Sequence, residues 1–419
     1  MRNSPKLLFC MVLAALALGA VYAWLVHAGM PGDEPAHYQN VAFYQQNWCM
    51  PVLGQPGVNY EGQMGPVYYY CAAPIFGIFK LLGGVQVGFY ATRFSGLLLI
   101  PIMVLLTYLI VQRAYPRSEQ VALATTAFMA LNPSLLSIFS SVQNDALSVV
   151  LAMSTLLLSY YFFENSKDLV KKGVILGILV SAGILTKATV IYLAASVPIY
   201  ALLRLRRKSW SFNIPFVITV ILLSAWFFIR NYILYGDISA QAGLTKFGFT
   251  NNPPPTNLTK LHELKHWLWV IETYYWLPIQ YYRDWFHAPI WLRAMVGIFT
   301  AVGFVGAFKW ARKLLVQKFP GDSAQKHFVL FLIIQYLSCM AIYTYSCMRI
   351  THFAPRVTFP CMITYAMVIG LGAVCLGPEQ RAQQKYTYGL IAALLVMNAF
   401  VLWSAVHIVM PWQLFEPGS

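Results

Sequence analysis

Gly32-Asp-Glu-Pro-Ala-His-Tyr38 opens a stretch that closes with Tyr60-Glu-Gly-Gln-Met-Gly-Pro-Val-Tyr-Tyr-Tyr70. It carries three of the chain's fourteen acids, Asp33, Glu34 and Glu61, directly after the first apolar run, Leu7–Ala28. About 20 apolar residues suffice to cross a ~30 Å hydrocarbon core, so Leu7–Ala28 spans and delivers Asp33 to the far face. Residues 33–47 set Ala36, Tyr38, Val41, Ala42 and Phe43 among polar neighbours, the pattern of a helix lying along the interface. Pro35 suits its first turn, where a missing N–H does no harm. An acid pair at the mouth of an apolar bundle marks the place to look for function.

Composition fixes the class. The 419 residues are 59% hydrophobic and 10% charged, with mean hydropathy +0.60, whereas soluble domains carry roughly 25% charged residues. The chain reads as an all-α, polytopic transmembrane bundle forming a single domain over residues 1–419. Its net charge of +15 comes from short basic clusters between apolar runs, which is the positive-inside pattern and argues against a nucleic-acid partner. Arg2 and Lys6 before Leu7 suggest an uncleaved signal anchor with a cytoplasmic N-terminus. Seven cysteines without a CxxC pair indicate no metal knuckle. Cys49 and Cys71 are close enough in sequence for a disulfide, but lone thiols are the simpler reading.

Hydropathy predicts eleven spans. Val67–Leu82 is the ambiguous segment, apolar but interrupted by Pro74 and Gly77. Reading it as a juxtamembrane or re-entrant helix keeps every later basic loop on one side, so residues 29–89 form a first outer loop with interfacial helices. The remaining spans are Tyr90–Gln112, Glu119–Ser140, Asn144–Phe163, two short helices within Gly173–Leu203, Phe212–Tyr235, Ile290–Phe308, Phe328–Tyr345, Val357–Leu376 and Tyr388–Val409. Basic flanks on both sides of Gly173–Leu203 require an even number of crossings, with a turn near Thr186-Lys187 that leaves Lys187 recessed below the outer surface. Residues 236–289 make a second outer loop, rich in Trp and Tyr as the headgroup zone favours.

Sorted by side, the outer face collects Asp33, Glu34, Glu61 and Asp145 with Arg93, Lys187, Arg230, Arg349 and Arg356, plus His37 and His352. Acids able to take a proton and cations able to hold a phosphate, at one membrane face, suit an anionic lipid-borne substrate. Each group also has a plainer reading. Asp33 or Glu34 caps the interfacial helix, Asp145 caps its own helix, and Lys187 snorkels from a short helix. Arg93, Arg230, Arg283, Arg293 and Arg349 serve as headgroup anchors, and the histidines sit satisfied in the interface. No HxxxH or HExxH spacing supports a metal site, and a divalent ion is left open.

The chain resembles the GT-C type membrane glycosyltransferases, which use polyprenyl-phosphate sugars and include the protein O-mannosyltransferases and the lipid A aminoarabinose transferase. The resemblance rests on Asp33-Glu-Pro-Ala-His-Tyr38, Tyr60-Glu61 before Pro66-Val-Tyr-Tyr-Tyr70, Asn144-Asp145-Ala-Leu147, Leu185-Thr-Lys187, Arg230-Asn231 before Tyr235-Gly-Asp237, and Arg356 with Pro360. It covers most of the chain through short motifs in shared order. It implies sugar transfer from a polyprenyl-phosphate donor to a protein, lipid or glycan acceptor on the non-cytoplasmic side; inversion and, from the chain's size, a bacterial inner membrane are the accompanying expectations. Asp33 then matches the general base. Glu61 and Asp145 match acceptor-side acids, with Glu34 and His37 supporting them. Lys187, Arg356, Arg93 and Arg349 match the donor-phosphate positions. Gln63-Met-Gly-Pro66 departs from the usual His-x-Pro-Pro run, which touches selectivity. A transporter or lipid flippase with an outward polar cavity is the rival from another class.

Overall fold

The computed structural model describes residues 4–29, 33–249, 257–278, 289–316, 323–349, 355–377 and 379–407. The described residues are helical throughout, with no strand. Helix α1 (Ser4–Leu25) runs for 22 residues, or about 33 Å at ~1.5 Å per residue, enough to cross a bilayer. Helix α2 (Glu34–Asn47) follows, with Pro35 in its first turn as the sequence predicts.

Helix α3 (Val67–Leu97) resolves the ambiguous segment. Its backbone leaves helical geometry at Gly83 and Gly84, and Gly84 adopts φ +86°, which glycine tolerates without cost. The chain folds back there. A Cβ on Gly88 would touch the carbonyl of Phe76, twelve positions earlier, and Tyr38 packs edge-on against both Phe76 and Phe89. The first half of α3 therefore lies on α2, sharing a small core with Val41, Tyr44, Tyr69 and Ala73.

The main bundle continues with α4 (Leu99–Ala114), α5 (Glu119–Leu131), α6 (Pro133–Phe139), α7 (Asp145–Phe162), α8 (Leu169–Thr186), α9 (Tyr192–Leu205) and α10 (Trp210–Tyr235). After these come α11 (Gln241–Lys246), α12 (Leu261–Trp276), α13 (Ile290–Val316), α14 (Ser323–Arg349), α15 (Ile363–Cys375) and α16 (Gln380–His407). Leu222, Ile233 and Ile290 are among many large apolar side chains left exposed. Such an outer surface needs lipid around it.

The sequence predicts eleven spans. Among the described residues eight helices are long and apolar enough to cross, or ten if two bent pairs each count once; one of the candidate stretches counted here, Ala188–Tyr235, holds both α9 and α10. One pair is α5 with α6, bent by 52° at Asn132-Pro133; the other is the 3-10 turn Pro355–Cys361 with α15, bent by 72°. At the first bend Pro133 cannot supply the N–H a continuous helix needs, and the Asn132 side chain accepts from Leu135 N instead, starting a new helix. The paired short helices over 173–203 are present as expected. Helix α8 ends at Thr186, Lys187 is extended, and α9 returns to the end where α8 began, where Arg204 donates to Phe163 O at 3.3 Å. All seven cysteines are unbridged, Cys49 and Cys71 included.

Candidate active site

Four chain segments meet at one end of the bundle. They are the start of α2, the 3-10 turn Tyr60–Gln63, the turn from α6 into α7, and the turn Pro355–Cys361, with the break after α8 alongside. Asp33 enters α2 in the left-handed region at φ +59° and makes no side-chain cap bond. Its carboxylate points elsewhere. Oδ1 accepts the Tyr60 hydroxyl at 2.7 Å, and Oδ2 pairs with the Arg356 guanidinium from 323 residues away. Arg356 also donates to Gln143 Oε1 at 3.2 Å. The cap reading of Asp33 thus fails for its side chain, because both oxygens face other segments.

Glu34, next in sequence, turns the other way. It holds Arg93 through two hydrogen bonds, 2.8 and 2.5 Å, with both side chains fully buried. Oε1 also accepts from Val142 N at 2.8 Å. Arg93 donates further to the carbonyls of Ala23 and Val26, at the end of α1. Arg93, expected at the donor phosphate, and Glu34, expected in a supporting place, are thus each other's partner in this structure. The pair bolts α1, α2, α3 and the α6–α7 turn together, and burial without water is why each charge has to be matched inside the protein.

Asp145 stands in the first turn of α7 and Lys187 in the break after α8; Lys187 Nζ lies 2.5 Å from Asp145 Oδ1. Neighbouring Asn144 donates to Thr186 O at 3.0 Å, fixing the two turns together. Asp145 Oδ2 and Glu61 Oε2 are buried acceptors with no hydrogen-bond partner among the described residues. Each leaves one carboxyl oxygen open to a further hydrogen bond. Lys187 is recessed, as the turn at 186–187 implies, and is 6% exposed.

Burial pushes the Glu61 carboxyl up to about 8, with Lys187 opposing and Asp145 reinforcing. Burial, aided by Lys187, lowers the His37 imidazole to about 3. His37 Nε2 sits 4.0 Å from Glu61 Oε1, and with both groups neutral near pH 7 this is no ion pair. His37 Nδ1 meets the Tyr69 hydroxyl at 2.7 Å, and Asn40 Nδ2 donates to Glu61 O at 2.6 Å. Among the described residues no three His, Cys, Asp or Glu side chains gather closely enough to hold a metal ion.

Around this centre the other motifs build support. Gly65 approaches α8 so closely that a Cβ would collide with Leu185 O, so the unusual Gln63-Met-Gly-Pro66 run lets the Glu61 turn press onto the Lys187 break. Arg230 donates to Pro51 O at 2.6 Å and Tyr235 accepts from Leu53 N at 3.0 Å, clamping the first outer loop. Gly236 closes α10 at φ +75°, and Asp237 caps the following turn by accepting from Ser239 and Gln241. Those hydrogen bonds hold the Asp237 carboxyl below its ordinary range against the effect of burial. The side chain of Arg349, and all of Arg283 and His352, lie outside the described residues. Sequence reasoning did not single out Gln143, Tyr69 or the Val142 amide. Gln143 had one signal, its place directly before Asn144-Asp145.

Residues 64–229 match the family model of the dolichyl-phosphate-mannose-protein mannosyltransferases. That segment holds Arg93, Asp145 and Lys187 and leaves Asp33, Glu61 and Arg356 outside it. No curated protein sequence matches the chain. Among solved structures the chain is similar to ArnT from Cupriavidus metallidurans bound to undecaprenyl phosphate, with TM-score 0.59 and 14% identity over 96% of this chain and 70% of that one. It is also similar to the Archaeoglobus fulgidus oligosaccharyltransferase tethered with an acceptor peptide containing the NVT sequon, with TM-score 0.57, 12% identity and 96% of this chain covered. A third likeness is to the oligosaccharyltransferase AglB from Archaeoglobus fulgidus in complex with an inhibitory peptide and a dolichol-phosphate, with TM-score 0.51, 12% identity and 97% of this chain covered. The chain spans 56% of the length of each oligosaccharyltransferase chain. At these identities the likeness is one of fold. The chain shares the fold of these structures, as the resemblance of its motifs implies.

Proposed function

We propose that the protein transfers a sugar from a polyprenyl-phosphate donor to an acceptor hydroxyl or amine on the non-cytoplasmic side of the membrane, with inversion and with Asp33 as general base. The observation that carries this reading is the contact between Asp33 and Arg356, which sets a carboxylate and a buried guanidinium side by side at a membrane face. The acceptor oxygen or nitrogen attacks the anomeric carbon while the bond from that carbon to the phosphate oxygen breaks. Asp33 takes the acceptor's proton. The bonding pair leaves on the phosphate, whose growing charge falls to Arg356 and Lys187. Glu61 and Asp145 turn their unpartnered oxygens to the acceptor.

The known ligands of similar folds support the donor class, since undecaprenyl phosphate and dolichol-phosphate are both polyprenyl phosphates. Asp33, Glu61, Asp145, Lys187 and Arg356 all sit at helix ends or turns, which favours chemistry at the membrane face over passage through it. The basic loops at the opposite end support an orientation with the site away from the cytoplasm, in a bacterial inner membrane. Detergent-purified protein incubated with a panel of undecaprenyl-phosphate sugars and host membranes should release undecaprenyl phosphate and label an acceptor. Mass spectrometry of surface glycans with and without the gene should lose one sugar. Unchanged glycans together with no lipid-phosphate release in detergent would refute the transferase reading.

A further inference from the structure

At the far end of the bundle two loops converge, residues 164–172 and 204–208, holding seven Lys and Arg against two acids, Glu164 and Asp168. The 18 residues of α8 put this cluster about 27 Å from the Lys187 break. Two of the cations face inward and tie the loops. Lys172 Nζ donates to Phe162 O and to Asn165 Oδ1, both at 2.8 Å, and Arg204 donates to Phe163 O. The other five, Lys167, Lys171, Arg206, Arg207 and Lys208, are exposed. Lys208 reaches across to Ser166 Oγ at 3.4 Å, so the two loops present one surface. Its rim is apolar and exposed: Val170, Leu202, Trp210 and Ile214.

We propose that this surface is a binding site for the headgroups of anionic phospholipids in the leaflet opposite the candidate active site. Five exposed cations with only Glu164 and Asp168 as counter-charge attract a phosphate surface. The apolar rim places them at the edge of the hydrocarbon, with Trp210 where aromatic anchors collect. A soluble polyanion offers nothing to Val170, Leu202 or Ile214, whereas a lipid fills both the charged centre and the greasy rim. The surface is independent of what the distant site transfers.

The test uses the full chain in neutral detergent, titrated with phosphatidylglycerol or phosphatidylcholine and read by native mass spectrometry and thermal unfolding. Phosphatidylglycerol should bind at least 10-fold more tightly and raise the unfolding temperature. The triple variant Arg206→Gln, Arg207→Gln, Lys208→Gln should bind phosphatidylglycerol on the order of 100-fold more weakly. Lys260→Gln, in the second outer loop, should change nothing. If the triple variant does not fold, Lys167→Gln with Lys171→Gln carries the same test at a smaller expected loss. Equal binding of the two lipids, selectivity that survives these substitutions, or full competition by glycerol 3-phosphate would each overturn the proposal.

Discussion

Asp33 and Glu34 are adjacent acids, each paired with an arginine, and they are built for opposite purposes. Glu34 and Arg93 are sealed at 0% exposure, surrounded by carbonyls and the Val142 amide. Asp33 keeps 36% of its side chain open, while Arg356 behind it keeps 9%. The backbone produces this split. The left-handed turn at Asp33 aims its carboxylate out of the helix start, and Glu34, one residue into α2, points back into the bundle. A sealed pair fixes geometry because breaking it strands a charge. A half-open pair can exchange its partner for a ligand.

The largest effect should fall on the open pair. Asp33→Asn keeps the shape and the Tyr60 contact but removes the base, and general-base loss typically costs about 10²–10⁴ in rate. Transfer should fall by that order while the unfolding temperature barely moves. Turnover near wild type would break the comparison at its centre. The sealed pair should behave in reverse. Glu34→Gln leaves Arg93 charged and buried, a situation that costs about 3–5 kcal/mol. Reduced folded yield or a collapsed unfolding temperature is the expected result. The double change Glu34→Leu with Arg93→Met should recover much of that stability, because no charge is then stranded.

How much of this the residues announced differs between the two pairs. Asp33, Glu61, Asp145, Lys187 and Arg356 were named from the sequence through short motifs at the ends of apolar runs, and basic flanks on both sides of residues 173–203 placed the break at Lys187. Glu34 and Arg93 carry similar signals but a different job. Hydropathy gives depth along a helix and says nothing about which way a side chain points around it, so an arginine at a span end reads the same whether it faces a ligand or a neighbouring helix. The two bent spans were hidden for a related reason. Hydropathy sums across Asn132-Pro133 and across the turn at residues 355–361, whereas the backbone bends there by more than 50°. The roles of Gln143 and Tyr69, both in or beside a recognised motif, stayed unread because they depend on contacts between distant segments.

Lys187 and Asp145 lie between the two extremes, with side-chain exposures of 7% and 0%, so they sharpen the contrast. Asp145 keeps one oxygen unpartnered among the described residues, unlike Glu34, both of whose oxygens are held. Lys187→Ala should weaken undecaprenyl phosphate binding by roughly 10-fold or more, the value of a charge-assisted contact of about 1.5–3 kcal/mol. Isothermal titration in detergent would measure it. Lost folding with unchanged lipid affinity in the surviving protein would move this pair to the sealed class.

The narrowest test, confined to one pH window, concerns Glu61, a buried acid with no cation in contact. Its carboxyl rises from an ordinary 4.5 to about 8 in the folded chain, so the folded state holds a proton that the unfolded state releases. Stability from this group is complete below the unfolded value and declines as pH climbs from about 4.5 to about 8, because there the unfolded chain binds fewer protons. Glu61→Gln cannot release that proton. Measured across this window, the variant's unfolding temperature should fall less steeply than the wild type's, with the two curves parallel again above about 8. Parallel curves throughout would mean that Lys187 already holds Glu61 ionised. The charged partner would then be shared between two acids, and the open side of the comparison would gain a third carboxylate.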